Sequence, residues 1–122
     1  MIKVYGSSEQ TSAPLSSAVE ANGLVFVSGQ IHADSAWKLQ GKTTEEKFAL
    51  IMTNIEVILA ASGLSKKDII QIRLYLTNLS ELPVLNEIYK QYFDHPFPAR
   101  TAVGVSQLPL GATLEIEVVA SR

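Results

Sequence analysis

Arg100 follows Pro98 by two residues and opens a strand-like run, Thr101-Ala102-Val103. Pro96 and Pro98 push the residues before them toward extended backbone, so the chain is delivered stiffly to Arg100. A guanidinium held in this way can grip a carboxylate through two hydrogen bonds. The same placement also describes an ordinary surface salt bridge. Glu115 and Glu117 share one face of a segment whose other face is Leu114, Ile116, Val118 and Ala120. Either carboxylate can serve as a general base if burial raises its pKa toward neutrality. Equally, both can be the polar side of a half-exposed strand. His32 and His95 are the only histidines and there is no cysteine, so no metal-ligand spacing is present. The two histidines read as loop or rim residues, and no basic groove accompanies them for RNA cleavage. Asn86 reads as a solvent-facing helix residue or a cap for a neighbour.

The elements that must position these residues have clear signals. Asn22-Gly23, between Ala18–Ala21 and Leu24–Val27, is the pair best able to make a two-residue hairpin turn. Ser28-Gly29-Gln30 continues the second strand, and its glycine marks a bulge or a close approach of backbone to another group. From Thr43 to Ser62, Phe48, Ile51, Met52, Ile55, Ile58 and Leu59 recur at helical spacing. A Thr43–Glu46 capping box starts that helix and Gly63 ends it. Ile70, Ile72, Leu74 and Leu76 alternate as a strand. Ser80 is placed to cap a second helix with Pro83 in its first turn, and Leu85, Ile88, Tyr89 and Tyr92 form its buried stripe. Phe48, Tyr89, Tyr92 and Phe93 therefore read as core. Trp37 falls in the loop before the first helix, where it covers an interface or the loop itself. The polar cluster Ser7 to Ser12 reads as a solvated loop.

At 122 residues the chain has the size of a single domain, residues 1–122. The reading is α+β, with two helices on one face of a mixed or antiparallel sheet. Only 18% of residues are charged, below the ~25% of an average soluble domain, which points to surface covered by self-association. A net charge of −2 and a pI near 5.6 give no reason to expect nucleic acid or an anionic membrane as partner. The absence of cysteine excludes disulfides and thiolate chemistry. With no apolar leader at the N-terminus and no membrane-length apolar stretch, the expected location is cytoplasmic.

Val25-Phe26-Val27-Ser28-Gly29-Gln30-Ile31, Ala61-Ser62-Gly63-Leu64, Leu85-Asn86-Glu87-Ile88-Tyr89, Phe97-Pro98-Ala99-Arg100-Thr101 and Leu114-Glu115-Ile116-Glu117 follow one another in an order that resembles the reactive intermediate deaminase (Rid, or YjgF) family. The similarity runs from about Ala13 to Ser121. It implies a chorismate-mutase-like fold, assembled as a homotrimer with a ligand cleft between neighbouring subunits. The implied activity is that of a 2-iminobutanoate/2-iminopropanoate deaminase, hydrolysing imines released by pyridoxal-phosphate enzymes to 2-oxo acids and ammonia. By resemblance Arg100 binds the substrate carboxylate and Glu115 positions or activates the attacking water. Ser28, Gly29 and Asn86 lie along the cleft. No metal or organic cofactor is implied.

Two departures from the family pattern bear on function. Ala13-Pro14-Leu15-Ser16-Ser17 stands where many family deaminases have Gly-Pro-Tyr-Ser, so Leu15 brings no phenolic hydroxyl to the cleft. Ala102 stands where a cysteine is frequent. The loop from Ala33 to Lys42 also lacks the usual Pro and Thr-Gly pattern. A non-catalytic trimer that binds a small carboxylate for regulation is therefore the alternative reading. A ribonuclease or translation inhibitor, a label also attached to the family, is the third, and the net negative charge counts against it.

Overall fold

Asn22 and Gly23 take positive φ angles of 53° and 77°, the left-handed pair whose twist matches that of the strands it joins. They connect β2 (Ala18–Ala21) to β3 (Leu24–Ile31) as an antiparallel hairpin. The computed structural model describes residues 2–6 and 13–122, so the Ser7 to Ser12 cluster lies outside the described residues. β1 (Lys3–Tyr5) pairs with β2, and β4 (Ile69–Leu76), β5 (Ala99–Gly104) and β6 (Leu114–Ser121) complete a sheet of order β1-β2-β3-β6-β4-β5. β4 and β5 are parallel and the other neighbours antiparallel. The mixed sheet follows from chain order: a parallel pair needs a long crossover, and α2 (Leu82–Tyr92) supplies it between β4 and β5.

α1 (Thr44–Ala61) is bounded by the expected devices. The Thr43 hydroxyl oxygen accepts from the Glu46 amide at 3.1 Å, and the Glu46 carboxylate accepts from the Thr43 amide at 3.1 Å. At the other end Gly63 has φ 79°, and the Gly63 and Leu64 amides return to the carbonyls of Ala60 and Leu59. The start of α2 differs from the sequence reading. Asn78, not Ser80, is the cap: its side chain accepts from the Ser80 amide and hydroxyl and opens a 3₁₀ turn, Leu79–Glu81, that leads into the helix. Pro83 does sit in the first turn.

Residues of α1 and α2 join the inward side chains of the sheet in one buried cluster that includes Val25, Val27, Phe48, Ile55, Ile72, Leu85, Ile116 and Val118. Both helices thus cover the same sheet face. Along β4 the alternation does not begin where expected: Ile69 is buried and Ile70 is exposed, because the pairing with β6 shifts between Ile69 and Gln71 and reverses the facing of the residues before it. The sheet face opposite the helices carries Phe26, Tyr75, Glu115, Glu117 and Val119, and Phe26 is 48% exposed. Among the described residues no helix is long and apolar enough to cross a membrane.

Candidate functional site

Arg100 lies near the start of β5, an edge strand, in register with Ile72 of β4. Ile72 is buried against the helices, so Arg100 points to the helix-covered side and meets α2. Its Nη1 donates to Asn86 Oδ1 at 2.8 Å, and its guanidinium carbon stands 5.0 Å from the centre of the Tyr89 ring. Asn86 and Tyr89 are three residues apart on one helix and so share a face. Together they hold the guanidinium from its edge and from below. Nε and Nη2 have no hydrogen-bond partner among the described residues. They front an open groove of about 480 Å³ whose walls include Pro83, Phe97 and Pro98. Sequence reasoning placed Tyr89 in the core; it is buried, and it is also the floor of this groove. The Asn86-x-x-Tyr89 spacing was the available signal.

Glu115 belongs to a second locus. β3 carries one extra residue between Val27 and Gln30, opposite Val118 and Ile116 of β6, which is a bulge at Ser28-Gly29. The Glu115 side chain fills the space that the glycine leaves: a Cβ built on Gly29 would stand 2.3 Å from Glu115 Oε2. Its cross-strand neighbour Ile31 is buried in a small second cluster with Ala33 and Ala112. Burial, and then the nearby charge of Glu117, push the Glu115 carboxyl above its ordinary range. The two glutamates differ in occupation. Glu117 accepts from the Tyr75 hydroxyl and pairs with Arg73 at 3.5 Å, whereas the Glu115 carboxylate has no hydrogen-bond or ion-pair partner among the described residues.

Ser28 holds the preceding segment against the bulge. Its hydroxyl donates to the Ser16 carbonyl at 2.6 Å and its amide to the Ser17 carbonyl at 2.9 Å. Both donors are engaged within the chain, so Ser28 presents a ligand with acceptor lone pairs. Leu15, next to this tether, is 43% exposed. Ala102, two residues beyond Arg100 and opposite Leu74, packs partly buried against the core.

The two loci do not converge within one chain. Arg100 pairs with Ile72 and Glu115 with Tyr75, so two strand spacings and three residues of rise separate their Cα atoms, roughly 14 Å. The odd offset also sends their side chains to opposite faces of the sheet. A site using both draws them from different copies of the chain.

The histidines stand apart from these groups. His32 is not a rim residue: it is 3% exposed, its Nδ1 lies 2.9 Å from the Gln40 carbonyl, and its Nε2 accepts from the Thr113 amide at 3.0 Å. This arrangement assigns the proton to Nδ1. Burial holds its pKa below the ordinary value. The His95 ring packs at a tilt of 58° against Phe97, with ring centres 4.3 Å apart. Trp37 sits in the turn of a small hairpin closed by Ala33 and Leu39, with φ 62° and 49% exposure. Among the described residues no group of three or more His, Asp or Glu side chains could hold a metal ion.

Residues 6–122 match the family model described as endoribonuclease L-PSP. The chain is 40% identical over 111 residues to a RutC family protein of Aquifex aeolicus, with 89% of each chain covered. It is 33% identical over 112 residues to a 2-iminobutanoate/2-iminopropanoate deaminase of Dermatophagoides farinae, covering 90% of this chain and 87% of the relative. Among solved structures, E. coli TdcF with bound serine superposes with a TM-score of 0.87 at 32% identity, covering 98% of both chains. The ordered motifs, the six-stranded mixed sheet and the full-length match agree: this chain belongs to the Rid (YjgF/RutC) family.

Proposed function

We propose that the protein is a 2-imino acid deaminase working at a cleft between subunits of a homotrimer. The observation that carries this reading is the contrast between two neighbouring carboxylates: Glu117 is paired, while Glu115 is half-buried, without a hydrogen-bond or ion-pair partner among the described residues, and raised in pKa. That is the condition of a general base waiting for a water. Arg100, steadied by Asn86 and Tyr89 with two N–H edges unengaged, supplies the complementary anchor for a substrate carboxylate. The reading requires assembly, since Arg100 and Glu115 of one chain lie on opposite faces of the sheet and only a neighbouring copy can bring one to the other. The resemblance to a relative named for imine deamination fits the same chemistry.

The iminium carbon is already electrophilic and needs anchoring, a placed water and proton transfer. Water oxygen bonds to that carbon as its proton passes to Glu115, giving a carbinolamine. Glu115 returns the proton to nitrogen, the C–N bond breaks to release ammonia as the carbonyl forms, and the hydroxyl proton passes by way of Glu115 to that ammonia. Iminium and water thereby become 2-oxo acid and ammonium. No metal or cofactor enters this scheme.

Leu15 favours a second reading, binding of a small carboxylate without turnover, because it offers no hydroxyl to the site. Serine, bound in the crystal structure of the similar E. coli TdcF, is a small carboxylate of this kind. The deciding experiment couples a threonine or serine dehydratase to this protein and follows 2-oxo acid formation with wild type and Arg100→Ala. Faster hydrolysis with wild type alone supports the deaminase. Rates equal to buffer for both, across several precursors, leave carboxylate binding as the function. Light scattering on the eluting protein tests assembly, and a monomer mass contradicts the inter-subunit cleft.

A further inference from the structure

The pairing of β3 with β6 ends at Ile31 and Glu115. Beyond that pair the β3 backbone turns away: the carbonyls of Ile31 and His32 accept from the amides of Ala33 and Gln40, each at 2.8 Å. The Thr113 amide, two residues before Glu115, donates instead to the His32 side chain, meeting Nε2 at 3.0 Å. We propose that His32 is a positioning residue for Glu115, its imidazole closing the end of the β3–β6 pairing and so fixing where that carboxylate stands over Gly29. The proposal rests on the reading of Glu115 as general base and deepens it by naming what holds the base in place.

Thr113 is held from several sides. Its carbonyl accepts from the Thr77 amide at 3.1 Å, just past β4, and its hydroxyl accepts from Lys47 Nζ of α1 at 2.8 Å. The imidazole that takes its amide is itself fixed, being buried and donating through Nδ1 to the Gln40 carbonyl at 2.9 Å. An amide deprived of that acceptor is drawn toward water or another partner, and the start of β6 moves with it. Glu115 has little slack for such a movement, because its Oε2 already lies 2.3 Å from where a Gly29 Cβ would stand. The charged groups near the ring are Lys47, on α1, and Asp34, which accepts from the Gln40 side chain at 3.0 Å. Burial and then the Lys47 charge lower the His32 pKa, so at neutral pH Nε2 keeps the lone pair that Thr113 needs.

Full-length wild type, His32→Gln, His32→Asn and His32→Phe are compared by NMR titration of the Glu115 side-chain carboxyl and by steady-state kinetics on one imine. Glutamine carries an acceptor near the place of Nε2, asparagine a donor near the place of Nδ1, and phenylalanine fills the ring space with neither. In His32→Phe and His32→Asn the Glu115 titration is expected to fall by about half a pH unit or more toward the ordinary glutamate value, as water reaches the carboxylate. Their kcat is expected to fall about tenfold to hundredfold with KM within about twofold, because the carboxylate anchor Arg100 lies elsewhere. His32→Gln is expected to stay close to wild type in both readouts. A glutamine variant no better than phenylalanine, or a phenylalanine variant that titrates and turns over like wild type, overturns the inference. Should His32→Phe not fold, the contrast between glutamine and asparagine decides in the same way. A shifted titration beside an unchanged kcat sustains the positioning and removes Glu115 from the reaction. If wild type hydrolyses no imine faster than buffer, deamination fails and the titration alone decides: a shift in His32→Asn that His32→Gln lacks sustains the inference, and no shift overturns it.

Discussion

The Glu115 carboxylate occupies the space above the Gly29 Cα, where an added methyl group would come within 2.3 Å of Oε2. Gly29 does not have a positive φ, so its backbone accepts alanine, and the obstructing atom is the free end of a flexible side chain. Gly29→Ala is therefore expected to fold and to displace the carboxylate by about an ångström. A shift of that size at a reacting group costs roughly 10²-fold in rate. Deaminase assays should show this loss in kcat, with a thermal midpoint within about 2 °C of wild type. An undiminished kcat would remove Glu115 from the reaction.

Arg100 and Asn86 make a second prediction, separable into binding and chemistry. A charged hydrogen-bonding anchor contributes about 1.5–3 kcal/mol, so Arg100→Ala should lower kcat/KM by about 10–150-fold. Arg100→Lys keeps the charge but not the fork that meets a carboxylate in two places, and should recover only part of the loss. Asn86→Ala should raise KM by about threefold to tenfold through a less fixed guanidinium, since it removes one neutral acceptor. Steady-state kinetics on one imine distinguishes the three variants.

How much of this was legible in the sequence differs by locality. Asn22-Gly23, the Thr43–Glu46 box and the bulge at Gly29 are decided within a few residues, and each was readable. Ile70 was misread because simple alternation cannot register a shift in pairing that only the partner strand β6 reveals. His32 read as a loop or rim residue; it does follow β3 in a loop, but its burial was not legible because its partners, Gln40 and Thr113, arrive from a loop and from the far end of the chain. Arg100 and Glu115 were both singled out, but their placement on opposite faces follows from the order β6-β4-β5 together with the register in which β4 pairs with each neighbour. That order is a long-range property, invisible in local spacing.

Glu115 also predicts a conflict between stability and activity. Its folded-state pKa is raised, chiefly by burial, so the folded protein binds this proton more tightly than the unfolded chain. Stability from this group is complete below the unfolded carboxyl pKa and is lost as pH rises through the folded one. At neutral pH the ionised form is thus a burden, and Glu115→Gln should raise the thermal midpoint by about 1–3 °C, a fraction of a kcal/mol after solvent screening. The same variant should lose deaminase activity. Wild-type activity should rise with pH as the carboxylate forms, along an acid limb set above the usual glutamate range. A lower thermal midpoint in Glu115→Gln would mean that the carboxylate is paired in the assembled protein.

His32 supplies the opposite sign at milder pH. Burial lowers its folded-state pKa from the ordinary 6.5, and its Nε2 must stay unprotonated to accept the Thr113 amide. Below pH 6.5 the unfolded chain takes up a proton that the folded chain refuses, so stability falls with pH from about 6.5 down to the folded pKa and then levels. Urea unfolding of wild type and His32→Gln between pH 7.5 and 5 isolates this contribution, because glutamine does not titrate. Wild type should lose stability across that window and the variant should lose less. At pH 7.5, His32→Ala should cost about 1–3 kcal/mol, since the Thr113 amide and the Gln40 carbonyl both lose their partner. Parallel slopes for wild type and His32→Gln would place the titrating group elsewhere and leave His32 as packing alone.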